Sequence, residues 1–200
     1  KVIQEHGGET ALVLFGGINY YTGQLFDMNA IVEAGHAAGA IVGFDLAHAA
    51  GNVSLQLHDW QVDFACWCSY KYLNSGPGAV GAAFIHERYH EDAGLQRFAG
   101  WWGYEKSTRF KMEKGFVPMP GAEGWQLSTP ALFLYAALRA ALEIVEAAGW
   151  EAIQVKRKKL NGFQWTLLEE LDQETGGKQI QFITPRDSDA RGCQVSMLML

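Results

Sequence analysis

Lys71 lies in the run Ser69-Tyr70-Lys71-Tyr72-Leu73-Asn74, downstream of Gly43-Phe44-Asp45-Leu46-Ala47-His48-Ala49. A lysine between two tyrosines, followed by Gly76-Pro77-Gly78, is placed where its amine can be held still and partly desolvated, which favours the neutral, nucleophilic form. Such an amine can form a Schiff base with a carbonyl. A pyridine cofactor bound that way needs one more fixed group, a carboxylate against the ring nitrogen, because a protonated ring is what withdraws electrons. Asp45 is the candidate. His48, three residues on, shares a face with Asp45 if the intervening turn is helical, and could stack on a flat ring or bond its phenolic oxygen. Each residue also has a plainer explanation: a loop lysine with a solvated head, a helix N-cap at Asp45 and a structural histidine.

The elements that must hold these groups are readable from apolar patterning. Ala11 to Phe15 is a short apolar run ended by Gly16-Gly17, as a buried strand would be. Leu25 to Ala38 has helical spacing and is closed by Gly39. Ala40 to Phe44 is the next strand, with Asp45 at its carboxyl end, where open parallel sheets place their ligands. A helical turn over 47–50 follows, and Val62 to Cys68 is a third strand leading to Lys71. This is α/β grammar, a mostly parallel sheet with helices on both faces. Val80 to His86 reads as an antiparallel strand, because the connection is too short for a parallel crossover. Trp101 to Pro130 carries few periodic signals, and a stretch of that kind within a compact chain is usually functional. Ala131 to Ala148 and Trp150 to about Glu174 are helices terminated by Gly149 and Gly176-Gly177, and Lys178–Ile183 and Cys193–Leu200 are strand candidates. The expected division is residues 1–149 as part of a large domain and residues 150–200 as the start of a smaller C-terminal α+β domain.

Two hundred residues at 48% hydrophobic content can bury a sizeable core. The net charge of −6 is scattered, and the one basic run, Lys156-Arg157-Lys158-Lys159, falls within a helix-like stretch, so nucleic acid is not expected as a partner. No apolar run approaches the roughly 20 residues of a bilayer span, and the expected location is the cytoplasm. The chain starts at Lys1 and stops inside a strand-like run, so it is expected to be a fragment from which a targeting segment could be missing. Its three cysteines, Cys66, Cys68 and Cys193, do not make a disulfide framework and suit a reduced compartment. Cys66 and Cys68 flank one residue, which is not the two-residue spacing that wraps zinc. A metal site on these two with His58 ranks last among the readings, and no metal is expected.

Gly76-Pro77-Gly78-Ala79-Val80-Gly81 matches G-x-G-x-x-G by letter only, since a strand and not a helix follows. Those glycines are read instead as letting the backbone pass close to something bulky at Lys71. Trp101-Trp102 between Gly100 and Gly103 is either core or a pair of indoles able to offer an edge N–H to a phosphate. Ser128-Thr129-Pro130 is a capping sequence whose hydroxyls could equally serve an anion.

Taken in order, these runs, with Tyr20-Tyr21-Thr22-Gly23-Gln24, Leu57-His58-Asp59-Trp60, Asp63 to Asn74, Gly100-Trp101-Trp102-Gly103, Ser107-Thr108-Arg109-Phe110 and Ser128-Thr129-Pro130, resemble the kynureninase family, fold-type I pyridoxal phosphate enzymes. The resemblance is specific from about residue 10 to residue 148. It implies that Lys71 carries pyridoxal 5′-phosphate, Asp45 holds the pyridine nitrogen and His48 lies against the cofactor. It further implies that Tyr70 binds the phosphate and transfers protons, and that Trp101 and Thr129 reach the phosphate, Thr129 from a partner subunit of a homodimer. Lys71, Tyr70 and Asp45 are the implied catalytic residues. Where the family commonly has Ser or Thr, this chain has Gly16, so only a backbone contact is left there. The implied reaction is hydrolysis of L-kynurenine or 3-hydroxykynurenine to anthranilate or 3-hydroxyanthranilate and L-alanine, in tryptophan catabolism and NAD biosynthesis. The family's upstream phosphate loop and downstream carboxylate-binding arginine have no counterpart in these 200 residues. Other readings are a cysteine desulfurase or aminotransferase of the same fold, or a non-catalytic piece of it.

Overall fold

The computed structural model describes residues 1–92 and 94–200. A short helix α1 (Val2–His6) precedes strand β1 (Leu12–Gly16), helix α2 (Met28–Ala37), strands β2 (Ile41–Asp45) and β3 (Phe64–Cys68), and strand β4 (Gly81–Ile85). Helices α3 (Leu132–Ala148) and α4 (Trp150–Glu174) follow, then strands β5 (Ile180–Phe182) and β6 (Met197–Met199). The sheet order is β1-β2-β3-β4, with β1, β2 and β3 parallel and β4 antiparallel to β3. Strands β5 and β6 form a separate antiparallel pair.

The local causes are those of the sequence. Asp27 caps α2, its carboxylate accepting from the Ala30 N–H at 3.0 Å. Alternation along β2 sends Val42 and Phe44 into a core closed by Val32 and Met28 of α2 and by Leu46, Ala49, Val53 and Val62. The same alternation sends Ile41 and Asp45 to the opposite face. On that second face a cavity of about 660 Å³ separates Asp45, Cys66 and Ala83 from Tyr135 and Leu138 of α3. One buried carboxylate pins the amino ends of the strands. Asp63 accepts from the Val42 N–H at 2.7 Å and from the Tyr89 hydroxyl at 2.7 Å, and lies 2.8 Å from His36 Nε2 of α2. Burial pushes its pKa up, but these three hydrogen bonds together hold it below its ordinary value.

The C-terminal unit folds back onto the sheet's loops. The Thr184 hydroxyl donates to Thr22 O at 2.6 Å, and the Cys193 N–H donates to the buried Asn52 side chain at 3.0 Å. Gln154 of α4 reaches Asn52 O.

Candidate active site

Asp45 is the last residue of β2 and pairs in register with Gly16 of β1 and Cys66 of β3. Gly16 is therefore beside Asp45, as the site reading requires, and a Cβ there would meet only Ile18 O at 3.5 Å, so space does not demand a glycine. The Asp45 carboxylate accepts from the Ala47 N–H at 2.8 Å and so does cap the following turn. In that turn the Ala49 and Ala50 N–H groups both return to Leu46 O. The capping explanation is met, and one oxygen of Asp45 shapes the turn that carries His48.

His48 and Lys71 meet. Lys71 Nζ lies 3.1 Å from His48 Nε2. Burial, then the charge of Lys71, lower the His48 pKa against the smaller upward pull of Asp45. A neutral imidazole whose Nε2 faces the amine carries its proton on Nδ1, and Nδ1 is buried with no protein partner. An orphaned buried donor of this kind calls for an acceptor from outside the chain. Tyr20 and Tyr72 flank the ring, with centroids at 6.4 and 6.2 Å. Tyr72 is half-buried and its hydroxyl is pushed up to about 12, first by burial and then by the Cys193 thiol beside it.

The turn bearing Lys71 is pinned at its base. The Ser69 hydroxyl donates to Val80 O, the Ser75 hydroxyl to Ser69 Oγ at 2.6 Å, and the Ser75 N–H to Ser69 O. Asn74 takes a left-handed φ of 56°, which asparagine tolerates, and its N–H returns to Lys71 O. On the other side Gly51, at φ 80°, leaves no room for a side chain, since a Cβ would stand 2.8 Å from the Tyr72 carbonyl carbon. Gly76 and Gly78 take positive φ values of 89° and 75°, which by themselves favour glycine, and no atom of this chain's described residues lies within 4 Å of a Cβ at either one.

Tyr70 is half-exposed, with the Lys71 amine 5.8 Å from its ring centre. The Cys68 thiol raises its pKa. Trp101 and Thr129 form a second group and, among the described residues, neither hydrogen-bonds to Lys71, His48 or Asp45. Their loops touch through backbone, the Gly103 N–H donating to Gln126 O at 2.8 Å. The 660 Å³ cavity is lined by Asp45 but not by Lys71 or His48. Among the described residues no cluster of three or more His, Cys, Asp or Glu could hold a metal ion.

The residues present fit a flat aldehyde cofactor. An amine with no carboxylate partner, a neutral histidine with an unanswered donor and a carboxylate at the mouth of parallel strands stand together. Sequence reasoning missed Ser69, Ser75 and Asn52. The first two carry a faint signal as small polar residues bracketing the lysine. Asn52, whose side-chain amide donates to His48 O at 3.0 Å, carries none.

Residues 2–190 match the family model described as aminotransferase class-V. The kynureninase of Flavobacterium psychrophilum is 52% identical over 197 residues, covering 98% of this chain and 46% of that protein. The kynureninase of Stenotrophomonas maltophilia is 52% identical over 200 residues, covering all of this chain and 46% of its own. The chain thus spans about half the length of the curated relatives it matches. Among solved structures, a cysteine desulfurase from Thermococcus onnurineus NA1 has a TM-score of 0.73 at 19% identity, covering 98% of this chain and 46% of that one. An alanine–glyoxylate aminotransferase from Nostoc sp. has a TM-score of 0.65 at 18% identity, covering 100% and 48%. At those identities the two structures share the fold, which is the α/β fold expected from the sequence.

Proposed function

The chain belongs to the aminotransferase class-V family, and on that premise we propose that the protein it is part of hydrolyses L-kynurenine, or its 3-hydroxy form, with pyridoxal 5′-phosphate as cofactor. The products are anthranilate, or 3-hydroxyanthranilate, and L-alanine, within tryptophan catabolism and NAD biosynthesis. The observation that carries this is the gathering of Lys71, His48 and Asp45 in a chain 52% identical to a kynureninase over 98% of its length.

When bound, the cofactor supplies an electron sink for the charge left at the substrate α-carbon. Lys71 would hold the cofactor through its amine, and that amine, when free, would serve as the base that takes the substrate α-proton. Asp45 would hold the pyridine nitrogen and favour its protonated form. The neutral His48 offers its unanswered Nδ1–H to a cofactor oxygen. Tyr70 binds the phosphate and donates a proton as water adds to the side-chain carbonyl and the Cβ–Cγ bond breaks. Trp101 and Thr129 receive the phosphate, Thr129 across a homodimer interface, and Gly16 contributes backbone only. Residues 1–149 and 150–200 are read as parts of the large and small domains. Among the described residues no helix is long and apolar enough to cross a membrane, and a cytoplasmic location belongs to the same reading.

The test uses the complete protein loaded with cofactor. Incubation with L-kynurenine is expected to release fluorescent anthranilate and one equivalent of alanine, while L-cysteine releases no sulfide and no alanine–glyoxylate exchange occurs. Sulfide release or transamination without anthranilate would contradict the proposal.

A further inference from the structure

Resting on the reading above that Trp101 and Thr129 receive the cofactor phosphate, we propose that Arg109 is the positioning residue that sets this phosphate end of the site. Between β4 and α3, among the described residues, no element exceeds the five residues of the short helical turn Gly121–Trp125, so the loops that carry Trp101 and Thr129 lie outside any regular strand or long helix. Backbone contact joins them. A Cβ on Gly100 would stand 2.3 Å from Gln126 O and 2.4 Å from Leu127 Cα, and one on Gly103 would stand 2.8 Å from Gln126 O. The turn carrying Trp101 and the strap leading to Thr129 therefore move as one piece.

Arg109 closes the back of that piece. It is 7% exposed, and its Nη2 donates to Trp102 O at 3.0 Å and to Tyr104 O at 2.9 Å. Its guanidinium carbon lies 5.8 Å from the Trp101 ring centre and 5.1 Å from that of Trp102. Among the described residues no carboxylate forms an ion pair with it, and its Nε is buried without a partner. Burying a cation in this way is costly, so the residue is not explained as filler. A planar guanidinium can bond both carbonyls through Nη2 while lying against two indoles, whereas a lysine ammonium is a compact, strongly hydrated point charge without that planar face. Arg109 thus holds the carbonyls of the two residues on either side of Gly103 and, through them, the direction of Trp101.

The experiment measures binding to the full-length cofactor-free protein of two probes that differ only at the far end, pyridoxal 5′-phosphate and pyridoxal. Arg109→Lys is expected to weaken pyridoxal phosphate roughly 10- to 100-fold, as for loss of hydrogen bonds from a charged group, while leaving pyridoxal within about twofold. Arg109→Gln, which keeps two donors without the charge, should show the same selective loss, and the near-ultraviolet circular dichroism of the cofactor-free protein should change in both. A purely structural residue would weaken both probes alike. If the unmodified protein prefers the phosphorylated probe and the Arg109 variants lose both equally or neither, the inference fails alone. If the unmodified protein shows no such preference, the functional reading fails and takes the inference with it.

Discussion

Between Leu12 and Cys68 the chain closes over the apolar side chains of one sheet face, whereas between Phe98 and Ile144 it leaves most of its large apolar side chains in solvent. Val42, Phe44 and Leu46 are fully buried in the first region. In the second, Phe133 is 92% exposed, and α3 buries none of its seventeen residues. Asp45, His48 and Lys71 stand on or beside the closed region, and Trp101 and Thr129 stand on the open one. The difference teaches where the site is self-sufficient. The amine, imidazole and carboxylate are placed by contacts within these 200 residues, while the phosphate side leaves apolar surface to be covered by further protein, whether the rest of a longer chain or a second one.

The comparison can be broken at four points. Replacing Lys71 by Ala in the complete protein should lower kcat on the order of 10⁴-fold or more, because the covalent anchor and the base are lost together. An effect below tenfold would remove Lys71 from the chemistry. Phe44→Ala, in the closed region, should cost about 3–5 kcal/mol, read as a fall in the urea midpoint. Asp63→Ala should cost about 3 kcal/mol, since it strands buried donors from Val42 and Tyr89. The sign with pH follows from a folded-state pKa held below the ordinary 3.8. The Asp63 contribution is fully present above that value and is lost as the pH falls through the folded-state value. Acid titration of the Asp63→Asn variant should show a shallower loss of stability in that range, and an unchanged slope would contradict the assignment. Phe133→Ala, in the open region, should cost less than about 0.5 kcal/mol in the 200-residue chain. A cost comparable to that of Phe44→Ala would erase the distinction between the regions.

Much of the closed region is legible in the sequence, because an apolar run marks a strand. Residues 11–15, 40–44 and 62–68 are such runs and each overlaps a strand, with Asp45 and Lys71 shortly after two of them. The expectation of a buried strand over 11–15 is corrected: Leu12, Leu14 and Phe15 are exposed, Leu12 and Leu14 because α2 covers only the face that carries Val13. Helices α3 and α4 are legible from their terminating glycines. What was not legible is contact at a distance. The Cys193–Asn52 bond joins residues 141 positions apart, and the Asp63 clamp draws on α2, β2 and Tyr89 at once. Neither leaves a periodic trace. Gly76 and Gly78 are a further case, since a glycine marks either a tight approach or a left-handed turn and the letter alone does not say which; the structure adds the left-handed φ values of 89° and 75°. The loop from Trp101 to Thr129 was legible only as aperiodic, because backbone contact and one buried arginine organise it.

Borohydride reduction of the full-length protein with pyridoxal 5′-phosphate, followed by peptide mapping, tests the site most directly. The account predicts a single reduced cofactor adduct on Lys71, absent from Lys71→Ala and weakened in Asp45→Ala. An adduct on another lysine, or none at all, would contradict it.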